Sequence, residues 1–452
     1  MWLVALLVAI WWSMLAWRHW PLAVSLLAGL LPTYLLRFRI GPLPMTVLEE
    51  LILLTTAIWL IKQYPQPWVN LHSRAKNWRA YPLSTEIVLV LLIAWLALLI
   101  GGNTTSALGL WKAYFIEPII VFILFWHVPR GTKYVDFGYL CLAGSLLVIG
   151  LIAGYQYGTG DLIANPFWAA TATRRATSVF GYPNAIGLLA GPVSLALLGY
   201  LIYRIKKTKQ WFDWPNLLLI SSIISGWLAI YWAHSEGALI GLAAALIVLG
   251  LLANRWSRLA ILVVTIIVGV VIWPRSDYRA TIEQKVRLAD LSGQIRQSQW
   301  QETWQMLRDG RWLTGAGLAN YQTTVEPYHH EGIWIKSIDK KAQPTWQPLE
   351  IYLYPHNIAL NFWTELGLAG LIIFAWLWLK AIIINLVNFC RHRRQELAWL
   401  SWGLLGAWLA AAIHGLVDVP YFKNDLAVLF WLGLAMTMWI KENLVKNKPD
   451  HD

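Results

Sequence analysis

Apolar runs of spanning length recur along almost the whole chain, and they leave few architectures open. They lie near residues 2–17, 21–36, 46–62, 86–101, 111–128, 137–155, 184–203, 216–233, 237–253, 259–273, 357–384, 397–414 and 425–441. As helices, most are long enough to cross a hydrocarbon core of ~30 Å. The first two are short for that task, as a tilted pair or a partly inserted hairpin would be. The expected fold is an all-α polytopic membrane protein with 12–13 transmembrane helices and one large outer-side loop. The run from Trp2 to Trp17 begins without a basic segment and many spans follow it, so it reads as a helix rather than a cleaved signal. Many of the 31 tryptophans stand near helix ends, as interfacial belts require.

Lysine and arginine in the short loops set the orientation. Basic clusters occur at Lys62/Arg74/Lys76/Arg79, Arg130/Lys133, Arg204/Lys206/Lys207/Lys209, Arg255/Arg258, Arg391/Arg393/Arg394 and the Lys-rich C-terminus. They alternate with the spans, so all can face the cytoplasm together. The outer side then holds 102–110, 156–183, the Ser235 turn, 274–355 and 415–424, with Arg37 and Arg39 as the one exception. The net charge of +12 reports these cytoplasmic loops and implies no nucleic acid. Cys141 falls within a span and Cys390 on the basic side, which argues against a disulfide.

The chain divides into N-terminal transmembrane helices (1–273), a large extracytoplasmic loop (274–355), and C-terminal transmembrane helices with a short cytoplasmic tail (356–452). The loop is too short and too polar for a large core of its own. Ser276 to Asp309 reads as helical, interrupted at Ser292-Gly293 and stopped by Gly310. Arg296, Trp300, Thr303 and Leu307 share one face there. Thr314 to Pro355 reads as irregular.

Few residues carry candidate chemistry. His356-Asn357 closes the loop at the mouth of a span, followed by Gly367 and Gly370 on the same helix. A histidine so placed can be a cap or interfacial residue, or a base in contact with water. The two glycines suit close helix packing. Arg174 and Arg175 are outer-side cations, either solvated or an anion site with the planar fork that fits phosphate. Arg296 allows the same two readings, and Arg287, on another face among many charges, allows them more weakly. Glu236 and Glu117 are carboxylates at or within the membrane boundary, where such groups are paired or functional. Glu236 is expected to pair with an outer-side arginine. His234 reads as interfacial and Asn103-Thr104-Thr105 as a coincidental sequon. His329-His330 lack a placed metal partner. No nucleotide loop or nucleophile elbow occurs, so the sequence calls for neither metal nor cofactor.

At these residues the chain resembles the O-antigen ligase/polymerase family of bacterial membrane glycosyltransferases. The His-Asn…Gly-x-x-Gly-Leu pattern at 356–371 is similar to the family's motif and follows a long outer loop. RATSVFGYPNAIG (175–187), RWLTGAGLANYQ (311–322) and Arg296-x3-Trp300 resemble three further family segments. Together they cover roughly half the chain, about 160–375. The resemblance implies a GT-C-like helical fold, a polyprenyl-diphosphate-linked glycan donor, and a glycan, lipid or protein acceptor. It also implies metal independence and inversion at the anomeric carbon, with the cell inner membrane as location and cell-envelope polysaccharide or lipopolysaccharide biosynthesis as context. His356 would be the general base, and arginines would hold the diphosphate, with Arg174, Arg175, Arg296 and Arg287 as candidates. Asn357, Glu236, Gly367 and Gly370 would support the site. One departure stands out: Ser235-Glu236-Gly237 replaces the family's usual Ser-Arg-Gly. The rival reading is a transporter or flippase of lipid-linked saccharides, which would call for inverted repeats or broken helices around a midplane site.

Overall fold

The computed structural model describes residues 2–41, 43–63, 81–129, 131–272, 274–335 and 343–446. Arg74, Lys76, Arg79, Arg130 and Lys448, counted above for orientation, lie outside the described residues. Among the described residues the structure is 76% helical with two short hairpins, so the all-α polytopic architecture holds.

The first two expected spans are one helix, α1 (Trp2–Leu27). Pro21 brings no N–H to it and crowds the carbonyl of Trp17, and the backbone bends at His19 (φ −145°, ψ 65°). The second half of the run at 21–36 is not membrane helix. It forms a 3-10 turn, Leu31–Leu35, and then the antiparallel hairpin β1 (Arg37–Ile40) and β2 (Leu43–Thr46).

The helices that follow are α2 (Val47–Gln63), α3 (Ser84–Ile100), α4 (Thr105–His127), α5 (Lys133–Thr159), α6 (Asn184–Thr208), α7 (Trp214–Trp232), α8 (Glu236–Ala253) and α9 (Arg255–Ile272). Two helices in the loop, α10 (Ser276–Val286) and α11 (Leu291–Met306), precede α12 (Ile358–His392), α13 (Ala398–His414) and α14 (Asn424–Lys446). Among the described residues, eight of these helices are long and apolar enough to cross a membrane, and α3 and α13 are shorter apolar helices. α2 and α9 follow the remaining expected spans, and α1 merges the first two into a single helix.

Helix α6 is the centre of the bundle, with 83% of its apolar window buried. Small residues let its backbone touch α13: a Cβ on Gly199 would lie 2.5 Å from the Cα of Gly403. In the same way Gly241 of α8 lies against Ala410 of α13, where a Cβ would come 2.7 Å from the carbonyl oxygen. These contacts clamp α6, α8 and α13 together. Their ends nearest the 274–355 segment carry Asn184, Glu236 and His414 respectively, which become neighbours for that reason.

The long segment between α9 and α12 begins with α10 (Ser276–Val286) and α11 (Leu291–Met306). The break between them falls at 287–290, earlier than the expected Ser292-Gly293. Asp290 is the N-cap, accepting from the Gly293 N–H at 3.2 Å, and Leu288 takes a left-handed backbone (φ 52°). The second half is only partly irregular. It holds a short helix, Tyr321–Val325, and the hairpin β3 (Gly332–Ile335) with β4 (Thr345–Pro348).

Residues 313–319 dock this segment onto the membrane helices. The Ala316 and Gly317 N–H groups donate to the Thr364 carbonyl at 2.7 and 3.2 Å, and Leu318 N–H donates to Ala97 of α3 at 3.1 Å. Docking requires a break in α12. Gly367 has φ 71° and ψ −177°, and a Cβ there would lie 2.3 Å from the Leu313 carbonyl oxygen. Leu368 N–H, released by the break, donates to that same oxygen at 3.1 Å. The expected close helix packing of Gly367 and Gly370 is thus replaced by another reason for glycine. Gly367 supplies the left-handed backbone, and a Cβ on Gly370 would meet Leu366 of its own helix at 2.1 Å.

Candidate functional site

Three fastenings place His356. Trp300 of α11 donates its indole N–H to the carbonyl of Pro355 at 2.8 Å, so one partner of the shared face holds the residue just before the histidine. Asn357 caps α12, accepting from Leu360 N–H at 3.0 Å, and donates to the Leu416 carbonyl at 3.0 Å. Ile358 N–H donates to Gly415 at 2.8 Å. The capping role therefore belongs to Asn357, and His356 itself stands in a left-handed conformation (φ 46°) beside the α13–α14 loop.

That loop brings Asp418 to His356. The carboxylate is 1% exposed and its Oδ1 lies 3.7 Å from His356 Nδ1, longer than a hydrogen bond. Nδ1 has no other partner among the described residues. Tyr354 and Tyr352 approach the imidazole edge to face, at 4.8 and 5.4 Å between centroids. Asp418 Oδ1 also accepts from Val419 N–H at 2.9 Å, while Oδ2 accepts from the Asn184 amide at 3.1 Å. His414 Nε2 is 4.0 Å from Oδ2. Burial alone would raise this carboxyl, but His356, His414 and the Val419 N–H outweigh it and hold it at about 2.

The chain of contacts continues outward. Asn184 Oδ1 accepts from Arg175 Nη2 at 3.1 Å, and Arg175 also donates to the carbonyls of Ala233 and His234 at 2.9 and 3.3 Å. Arg175, Asn184 and His414 line a cavity of about 310 Å³ together with His234, Glu236, Lys285, Asp290 and Arg296. Arg296 has no hydrogen-bond or ion-pair partner among the described residues. Burial lowers the Arg175 guanidinium; Glu236 opposes that and Arg296 adds to it, so the three charges feel one another.

The other expected site residues fall elsewhere or pair differently. Arg174 turns from the cavity to the end of α5, donating to Ala169 at 3.2 Å and to Tyr157 and Gly158 at 3.1 and 3.3 Å. Cations at a helix C-terminus satisfy its free carbonyls. Arg287 forms an exposed pair with Glu283 at 2.9 Å, one turn away on its own helix. Glu236 does line the cavity, but its ion-pair partner is Lys285 at 2.7 Å rather than an arginine. Glu117 is buried within α4 near Glu49 and Lys112, outside the cavity lining. Thr104 of the sequon caps α4.

Four residues of the site were not singled out in the sequence: Asp418, Asn184, His414 and Lys285. A signal existed for three of them. His414 and Asp418 sit one helical turn apart at the end of a span, and Asn184 belongs to the quoted segment at 175–187. Lys285 is one charge among many in its loop.

Residues 220–375 match a family model described as O-antigen ligase. The matched stretch contains Glu236, Lys285, Arg296 and His356, and it supports the O-antigen ligase/polymerase family. It supports in turn a membrane ligase or polymerase of the glycosyltransferase kind. No curated protein matches the chain.

Proposed function

We propose that this protein moves a glycan from a polyprenyl-diphosphate carrier to an acceptor hydroxyl, with inversion at the anomeric carbon and His356 as general base. The observation that carries this reading is the contact chain Arg175–Asn184–Asp418–His356, which joins a cation-lined cavity to an imidazole. Asp418 favours the proton on Nδ1 and leaves Nε2 to take the proton of the attacking hydroxyl. The diphosphate departs into the cavity, where Arg175 and Arg296 meet its charge. The site needs no energy source beyond the diphosphate linkage.

Charge removal tests the donor side. Arg175→Gln and Arg296→Gln are each expected to raise the donor KM about tenfold or more, as the loss of a charged hydrogen bond would, with the acceptor KM little changed. Arg174→Gln should instead lower thermal stability and leave the donor KM near the parental value. Equal donor effects at all three positions would contradict the assignment.

The reading places the site on the extracytoplasmic face of the inner membrane, because the Lys/Arg-rich loops lie at the other end. Leu353 is 71% exposed and reports on this. In a background lacking Cys141 and Cys390, a cysteine at Leu353 should react with an impermeant thiol reagent in intact cells. Labelling only after lysis would overturn the topology.

A further inference from the structure

One group in the cavity is left unused by this reaction scheme. Lys285 of α10 reaches from the outer segment to the mouth of the membrane helices, with its Nζ 2.7 Å from Glu236 Oε2 and 2.8 Å from Asp290 Oδ2. All three line the cavity that holds Arg175 and Arg296. An ammonium has three protons to donate, and two face these carboxylates. Glu236 is the less confined partner. Its side chain is 57% exposed, whereas that of Asp290 is 18% exposed and also caps α11.

We propose that Lys285 is a third cation of the diphosphate site and that Glu236 is its placeholder, the counter-ion it keeps when the site is empty and exchanges for a phosphate when donor binds. This rests on the donor reading above. The arrangement has a clear electrostatic use. Without Glu236 and Asp290, the empty cavity would hold three cations repelling one another in partly buried space. With them, the cations are kept in place at small cost. A diphosphate, carrying more charge than one carboxylate and several acceptor oxygens, then displaces the glutamate. Burial acts against the Lys285 ammonium, but Asp290 and Glu236 outweigh it and keep it charged. Because Lys285 stands on the outer segment and Glu236 on α8, the exchange also couples donor binding to the contact between that segment and the membrane bundle.

The two partners of an ordinary ion pair should show the same defect when either is neutralised. A placeholder pair should show opposite ones. The test is the affinity of the purified protein for undecaprenyl diphosphate, measured by direct binding alongside thermal melting. Lys285→Gln is expected to loosen binding about tenfold or more, and Lys285→Arg to retain it. Glu236→Gln should leave affinity unchanged or tighter, since the competitor for Lys285 is gone. This variant and Lys285→Arg keep the test informative if Lys285→Gln does not fold. The double exchange Glu236→Lys with Lys285→Glu returns a cation to the cavity and should recover binding. Equal loosening by Lys285→Gln and Glu236→Gln, or no change in either, overturns the assignment of Lys285 alone. Failure of the parental protein to bind the lipid overturns both that assignment and the donor reading beneath it.

Discussion

Replacing His356 by alanine is expected to lower turnover by ~10²–10⁴-fold, the usual contribution of a positioned general base, while the protein stays folded and membrane-inserted. The site residues on both sides do not depend on the imidazole. Asn357 caps α12 and ties it to Leu416, and Trp300 holds the carbonyl of Pro355. His356 is partly exposed and its backbone already carries the left-handed conformation (φ 46°), so alanine removes little packing and adds little strain. The measurement is kcat with saturating donor, beside a thermal melt. A variant that turns over near the parental rate would reduce His356 to a boundary residue.

The second large effect is expected at Asp418. Asp418→Asn keeps the shape but presents an amide to a histidine and an asparagine amide that both require an acceptor. It should cost turnover ~10²–10⁴-fold, as when the orienting carboxylate of a catalytic triad is neutralised. The carboxyl is held at about 2 in the folded protein, below its ordinary value. Its stabilising contribution is therefore whole above an unfolded value near ~4 and is lost as pH falls through about 2. Acid unfolding of the variant should lack that component, while its melt near neutral pH shows the cost of an imperfect buried contact. Parental turnover in a folded Asp418→Asn protein would contradict the positioning of His356 by this carboxylate.

How much of this was readable in the sequence depended on the length scale of the signal. Membrane helices announce themselves because each must satisfy its own backbone in lipid, and the runs from α2 to α14 follow the expected spans. The first pair failed because Pro21 bends one helix instead of ending it, and because Pro32 opens a 3-10 turn. The spacing of glycines 367 and 370 suggests packing, because a helical pattern cannot reveal that a loop carbonyl from Leu313 will occupy the place of a Cβ at Gly367. The arginines divided on tertiary grounds. Arg174 and Arg175 are adjacent, yet one meets the carbonyls at the end of α5 and the other meets Asn184. Asp418 escaped notice because its role comes from the α13–α14 loop folding against residues 355–358, a contact across some sixty residues that no local pattern encodes.

Glycan transfer is best measured by reconstituting the purified protein in proteoliposomes with an undecaprenyl-diphosphate glycan and candidate acceptors, with all lipids and products analysed by mass. Glycosylated acceptor and free undecaprenyl diphosphate are expected in equal amounts from the parental protein, and neither from His356→Ala. Intact donor recovered on the opposite face of the membrane, with no glycosylated acceptor, would contradict it and identify a transporter.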